Sequence, residues 1–567
     1  MSAPTQASLR RGWCPGALRP MATGDGFLLR IRPRIGRLTA EEAHTVADVA
    51  RRHGNGLVDL TSRGNLQLRG LKPETLDDAQ ASLAAAGLLD ATTQAEAMRN
   101  MLVSPLTGLD PTAVCDASGP ARALEAALTS FPTLLGKGAG LPLPIGERSA
   151  AKRTGEGYCS PAVPASPLTL TLSPQAGRGD DGIAATSPGA GDGSALPDKF
   201  LWLVDDGGAV ALDDVAADVR FRAERNGGGD RWAIGLDSGD GPSWIGFCAA
   251  DALPATAERL ARAFVAVAGS ARRMRELDAA ARARLVARAG LDASGQSAAA
   301  AERARRAGEW SPLPGGENAE VRGNVSPCMS LSPPHPAAVR PTSPRRGEVN
   351  ARPSACAEGE VSRGGPPVVG LWPLDDRCVL TVAAPFGRMT ADGFDRLAVL
   401  ADAYGIGEMR FGPWRQIHIP GRAGAVMAPA LEDATAAGFI TDPGDPRLAI
   451  AACPGKSACT SGETATQADA ALIAATVPAL AAAGLNLHIS GCAKGCARPA
   501  DAALTFIGEN GRYGLVRGRS TRARPLVHMD AARAAAGLAR LTASGGAATL
   551  VRLTDKELCS MFEAADG

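Results

Sequence analysis

Four of the twelve cysteines in this 567-residue chain stand in two short loops. Cys453-Pro-Gly-Lys-Ser-Ala-Cys459 gives C-x5-C, and after 32 intervening residues Cys492-Ala-Lys-Gly-Cys496 gives C-x3-C. Four thiolates brought onto one small volume are what a cubane 4Fe-4S cluster requires, and glycine-bearing loops let backbone N–H groups approach its sulfides. Gly455, Gly491 and Gly495 supply that backbone, while Lys456 and Lys494 set a positive charge in each loop against the thiolates. Zinc is the alternative metal, but structural zinc usually sits on two tight knuckles and a five-residue gap is loose for that. The other eight cysteines are scattered, and the six histidines form no metal-ligand spacing.

Elements must carry those loops, and an internal repeat shows what they are. Residues 36–70 align with 387–421 without a gap: GRLTA meets GRMTA, Gly54 and Gly56 meet Gly405 and Gly407, and Gly70 meets Gly421. In the first copy Thr39 and Glu42 make a capping box, and Ala43, Val46, Ala47 and Ala50 recur on one face up to Gly54, which predicts a helix of about 14 residues. Leu57–Leu60 and Asn65–Arg69 read as strands; in the second, Leu66 and Leu68 alternate with polar neighbours. Two copies of this pattern predict two ferredoxin-like α+β halves, each followed by a larger α/β unit.

Sixty basic and 59 acidic residues nearly cancel, which argues against nucleic acid or a membrane surface as partner. The N-terminus has no apolar leader core and no run of 18 apolar residues occurs, so a cytoplasmic protein with reduced thiols is expected. Two stretches rich in Ser, Pro and Gly, 149–193 and 311–365, have no hydrophobic period and are expected to be unstructured. The expected map is a first half over 10–90, a first α/β unit over 91–298 interrupted at 149–193, a flexible segment over 299–365, a second half over 366–440, and a cluster-bearing unit over 441–567. No strand-linked G-x-G-x-x-G or P-loop is present, so electrons are expected from an external donor or reductase.

The cysteine spacing resembles that of sulfite and ferredoxin-dependent nitrite reductases, in which the position of Cys496 also bridges to siroheme iron. Thr61-Ser-Arg-Gly-Asn-Leu-Gln67 resembles the arginine-bearing T-x-R-x-x-x-Q strand of that superfamily, Arg99-Asn100 its second arginine, and Leu196-Pro-Asp-Lys-Phe200 its lysine-bearing strand. The resemblance implies an α+β, internally duplicated sulfite/nitrite reductase-like fold with Arg63, Arg99 and Lys199 at an anion or tetrapyrrole pocket. One departure stands out: where the reductases carry K-F-K, this chain has Lys199-Phe200-Leu201, so one cation is absent.

A closer likeness lies at the N-terminus. Trp13-Cys-Pro-Gly16, Arg19-Pro20 and Thr23-Gly-Asp-Gly26, leading into Leu29-Arg-Ile-Arg-Pro33, are similar to precorrin-3B synthases of aerobic cobalamin biosynthesis. That resemblance implies a monooxygenase that hydroxylates precorrin-3A with dioxygen and closes a lactone. Its cofactor would be the 4Fe-4S cluster, with room for an additional non-haem iron whose ligands the sequence does not name; siroheme belongs to the alternative, a sulfite or nitrite reductase. Arginine suits a substrate with many carboxylates. Arg30, Arg32 and Arg34 share strand parity, as do Arg63, Asn65, Gln67 and Arg69. A solvated face is the ordinary explanation for the first set, and a satisfied core or surface histidine for His418, the repeat mate of Gln67.

Overall fold

The computed structural model describes residues 14–135, 196–226, 229–291 and 369–563. Both Ser/Pro/Gly-rich stretches, 149–193 and 311–365, lie outside the described residues, as does the flexible segment expected over 299–365.

The repeat is visible element by element. Helix Ala40–His53 has 14 residues, with Thr39 accepting from the Glu42 N–H and the Glu42 carboxylate accepting from the Thr39 N–H. Its mate Ala391–Ala403 is capped by Thr390 alone. Strands β4 (Leu57–Leu60) and β5 (Leu66–Leu71) recur as β14 (Glu408–Phe411) and β15 (Gln416–Pro420). Positive φ at Gly56 and Gly407 allows the same tight turn from helix to strand in both copies.

The two halves exchange strands. The first sheet runs β1 (Met21–Thr23), β2 (Gly26–Ile31), β5, β4 and then β13 (Arg388–Thr390), a strand from the second copy. The second runs β11 (Gly370–Leu374), β12 (Arg377–Ala383), β15, β14 and then β3 (Arg37–Thr39) from the first. Each half thus closes its edge with a three-residue strand from the other, in antiparallel register Arg388↔Asp59 and Arg410↔Arg37. One core follows: Leu29, Leu66 and Leu68 are buried in the same cluster as Phe394, Phe411 and Ile417. The two repeat helices pack together, and His44 meets its own repeat mate Asp395 at 2.6 Å, which places a pseudo-twofold axis between them.

The larger units share one topology. In the first, β6 (Met101–Val103), β7 (Trp202–Asp205) and β8 (Val219–Asn226) are parallel neighbours, followed by antiparallel β9 (Gly229–Asp237) and β10 (Pro242–Cys248). In the second, β16 (Ile450–Ala452), β17 (Leu487–Ser490) and β18 (Leu504–Glu509) are parallel, with antiparallel β19 (Arg512–Arg517) and β20 (Val527–Met529) beyond. Their cores are built on Trp202, Phe221 and Trp232 in one and Phe506, Leu515 and Phe562 in the other. No helix among the described residues is long and apolar enough to cross a membrane.

Candidate iron–sulfur centre and arginine-lined wall

Both cysteine loops leave the carboxyl ends of adjacent parallel strands, Cys453 after β16 and Cys492 two residues after β17. Ligand sites of open α/β sheets gather there because the loops from neighbouring strands splay apart. The loops are close-packed. Gly455 (φ +71°) lies where a Cβ would come within 2.4 Å of the Thr466 hydroxyl, and at Gly462 a Cβ would meet the Gly455 carbonyl carbon at 2.6 Å. The Gly491 N–H donates to Cys453 Sγ at 3.2 Å, the kind of contact that stabilises a thiolate.

The four thiols feel one another. Burial raises the pKa of Cys496 to about 11; Lys494 opposes that shift, and Cys492, Cys453 and Cys459 add to it. Cys492 is raised by burial and by Cys459 and Cys453, against Lys494 and its N–H. Such a set is costly as free thiolates and becomes favourable when iron neutralises it. Among the described residues no three His, Cys, Asp or Glu side chains converge as for a single ion; a cubane instead takes each thiolate on its own iron. Cys453, Cys459, Cys492 and Cys496 are the residues that could hold a 4Fe-4S cluster here.

Each repeat copy grips one cysteine loop. Arg69 of the first copy, almost fully buried, pairs with both Asp25 oxygens at 3.0 Å and donates to the Ala458 carbonyl between Cys453 and Cys459. Gly24 sits against that loop so closely that a Cβ would meet the Ser457 carbonyl oxygen at 2.7 Å. From the second copy, Arg415 donates to the Ala497 carbonyl at 3.0 Å, just past Cys496. Sequence reasoning placed Arg69 on a polar strand face and did not single out Arg415.

The three pocket residues expected from the sequence are not brought together. Arg63 sits in the turn between β4 and β5, bridged in backbone to Pro413 of the second copy. Its guanidinium has no hydrogen-bond or ion-pair partner among the described residues, and burial, then the Arg273 charge, lower its pKa to about 10. Arg99 corrects the expectation of a pocket arginine. It is buried and spent on Asp90 (Nε–Oδ1 3.0 Å, Nη2–Oδ2 2.9 Å), Glu125 (3.2 Å) and the Arg32 carbonyl (2.6 Å). Lys199 lies exposed in a turn before β7. Leu201 is completely buried against Leu102, Leu203 and Val210, so the missing lysine is a core position here.

The first arginine set divides. Arg30 is partly buried, with Cys14 and Gln67 as its neighbours, and Arg32 is buried near Glu96 at 3.7 Å; Arg34 is half exposed. Glu96 also accepts from the Ala17 N–H at 2.5 Å, and Asp198 from the Cys14 N–H at 3.0 Å, fixing the N-terminal segment against this wall. His418 is fully buried with Nδ1 bonded to the Thr381 hydroxyl at 2.9 Å, and its Nε2 has no partner among the described residues. His488, buried on β17, has neither ring nitrogen bonded among the described residues; burial, then Arg498 and Arg415, lower its pKa to about 4, so it is neutral beside those arginines.

Fold and site together define a class. The family model described as nitrite/sulfite reductase ferredoxin-like half domain matches residues 19–86 and 374–437, the regions of the two repeat copies. A Mycobacterium tuberculosis NirA structure superposes with a TM-score of 0.54 at 17% identity, covering 94% of this chain and 84% of that one, and so shares the fold. More particularly, a precorrin-3B synthase from Sinorhizobium sp is 27% identical over 546 residues, 95% of this chain and 89% of that protein. A ferredoxin–nitrite reductase from Leptolyngbya laminosa is 33% identical, but over only 22% of this chain. The likeness along nearly the whole of both chains makes this protein an enzyme of the oxidoreductase class.

Proposed function

We propose that this chain is an iron–sulfur monooxygenase of corrin biosynthesis, converting precorrin-3A to precorrin-3B with dioxygen and electrons from an external donor. The observation that carries the proposal is the likeness to a precorrin-3B synthase along 95% of the chain, where the nitrite reductase named above matches only a part. The site supports it. A tetrapyrrole substrate bears several carboxylates, and the guanidinium of Arg63, partly buried, has no hydrogen-bond or ion-pair partner among the described residues. The cluster, when bound by Cys453, Cys459, Cys492 and Cys496, supplies single electrons. Arg69 and Arg415 hold its two loops in place, and Lys494 offsets thiolate charge.

The test is anaerobic purification followed by iron and sulfide analysis and extraction with acidified acetone. The expected result is a 4Fe-4S content without stoichiometric siroheme, and turnover of precorrin-3A when a reductant and dioxygen are supplied. About one siroheme per chain would overturn the proposal in favour of a siroheme-dependent sulfite or nitrite reductase.

A further inference from the structure

Beside the first cysteine loop, charges of alternating sign are strung from one repeat copy to the other. Arg69, its side chain only 2% exposed, pairs with Asp25 through Nε and Nη2 at 3.0 Å each, and its Nη1 lies 3.6 Å from Asp59 Oδ2. Asp59 in turn accepts from Arg388 of the exchanged strand β13 at 2.7 and 2.9 Å. The order is Asp25, Arg69, Asp59, Arg388, and none of the four side chains is more than 18% exposed. Arg69 is the member that touches the cysteine loop: Nη2 donates to the carbonyl of Ala458, the residue before Cys459. The backbone at Gly24, next to Asp25, leaves no room for a Cβ against Ser457 and Cys459.

The other side of the pseudo-twofold axis does the same mechanical work with different charges. At the repeat offset of 351 residues, Arg410 stands for Asp59, Pro420 for Arg69 and Arg37 for Arg388. There Arg410 holds the carbonyls of Pro105 and Thr107 at 3.2 and 2.8 Å, and Arg37 that of Thr107 at 2.9 Å; Arg410 finds its own carboxylate in Glu408. Clamping a loop after the first parallel strand therefore needs no carboxylate at the Asp59 position. What Asp59 changes is the charge delivered to the loop that bears Cys453 and Cys459. A cation beside an iron–sulfur cluster favours its reduced form, a carboxylate favours its oxidised form, and burial strengthens both effects.

We infer that Arg69 and Asp59 set the reduction potential of the cluster, Arg69 as the positioning residue of the C-x5-C loop and Asp59 as the counter-charge that joins it to the exchanged strand. The inference rests on the cluster reading given above and is independent of which substrate is oxidised.

The test is a mediated potentiometric titration of the full-length, cluster-loaded protein, followed by visible absorption and electron paramagnetic resonance. Arg69→Gln removes a cation and is expected to shift the reduction equilibrium roughly tenfold toward the oxidised cluster, about 59 mV lower for one electron. Asp59→Asn removes an anion and is expected to raise the potential, while Arg388→Gln, one link further from the loop, lowers it by less. Arg69→Lys keeps the charge and should stay near the wild-type value. A purely structural role would not give opposite signs, because loosening the loop by either route opens the cluster to water in the same way. Shifts of one sign in Asp59→Asn and Arg388→Gln, or no shift in either, would overturn the inference, and this pair decides it even where Arg69→Gln fails to retain iron. Wild-type protein without iron and sulfide would overturn the cluster reading and this inference with it, and is recognised by metal and sulfide assay before any titration.

Discussion

The two α/β units present the same backbone frame and different chemistry. Ser104 follows β6 as Cys453 follows β16, and each is succeeded by proline. The Ser104 N–H donates to Val204 on the neighbouring parallel strand at 3.0 Å, as the Cys453 N–H does to Ile489 at 3.3 Å. Two residues further along those neighbours, the Asp206 N–H donates to the Ser104 hydroxyl at 3.0 Å and the Gly491 N–H to the Cys453 thiol at 3.2 Å. A hydroxyl thus stands in one unit where a proposed cluster ligand stands in the other. The frame places an acceptor at a strand end; side-chain identity and the following glycine-rich loops decide whether iron can be held there.

Substitution at the paired positions tests that difference most severely. Cys453→Ser should abolish the cluster's charge-transfer absorption and most of its iron, because a hydroxyl is a poor ligand for cluster iron. Ser104→Ala should leave iron and sulfide content unchanged, and a loss there would mean that the two units are functionally coupled. Visible spectroscopy with iron and sulfide assays reads both outcomes.

A smaller effect separates the two arginines that sequence resemblance treated alike. Arg99→Gln leaves Asp90 and Glu125 buried without their cation and is expected to cost about 3–5 kcal/mol in denaturant unfolding. Arg63→Ala removes no protein contact of its guanidinium and should shift the unfolding midpoint little. Equal destabilisation by both would show that Arg63 has a structural partner after all.

Smallest is the contrast between the repeat helices. Thr39→Ala breaks a reciprocal capping box and should cost about 1 kcal/mol; Thr390→Ala breaks a single cap bond and should cost less. Chemical denaturation of the two variants side by side reads the order, and a reversed order would remove the reciprocal bond as the cause.

Local features were legible because they are written within a few residues. The capping box, the bounds of β4 and the 351-residue offset of the repeat are all found where the sequence places them. The cysteine loops were legible for the same reason. Strand exchange was not: β3 and β13 have three residues each, and their pairing partners are more than three hundred positions away. Arg99 looked like a pocket residue because neither Asp90 nor Glu125 carries any mark of its approach. The second duplication, between the α/β units, has kept its hydrogen bonds at Ser104 and Cys453 while losing most of its residue identities.

The exchanged strands also set an order of events during synthesis. The edge of β4 stays open until residues 388–390 leave the ribosome, by which time more than two-thirds of the polypeptide has been made. Until then the nascent chain carries an unpaired strand edge and half of a shared core, the conditions under which intermolecular pairing competes. Closing so long a loop costs only logarithmically more than closing a short one, so the sequence separation burdens the final stability little. It burdens the rate, because contacts between residues so far apart form late. Nascent chains of this enzyme are therefore expected to depend on chaperones throughout the synthesis of the first 390 residues.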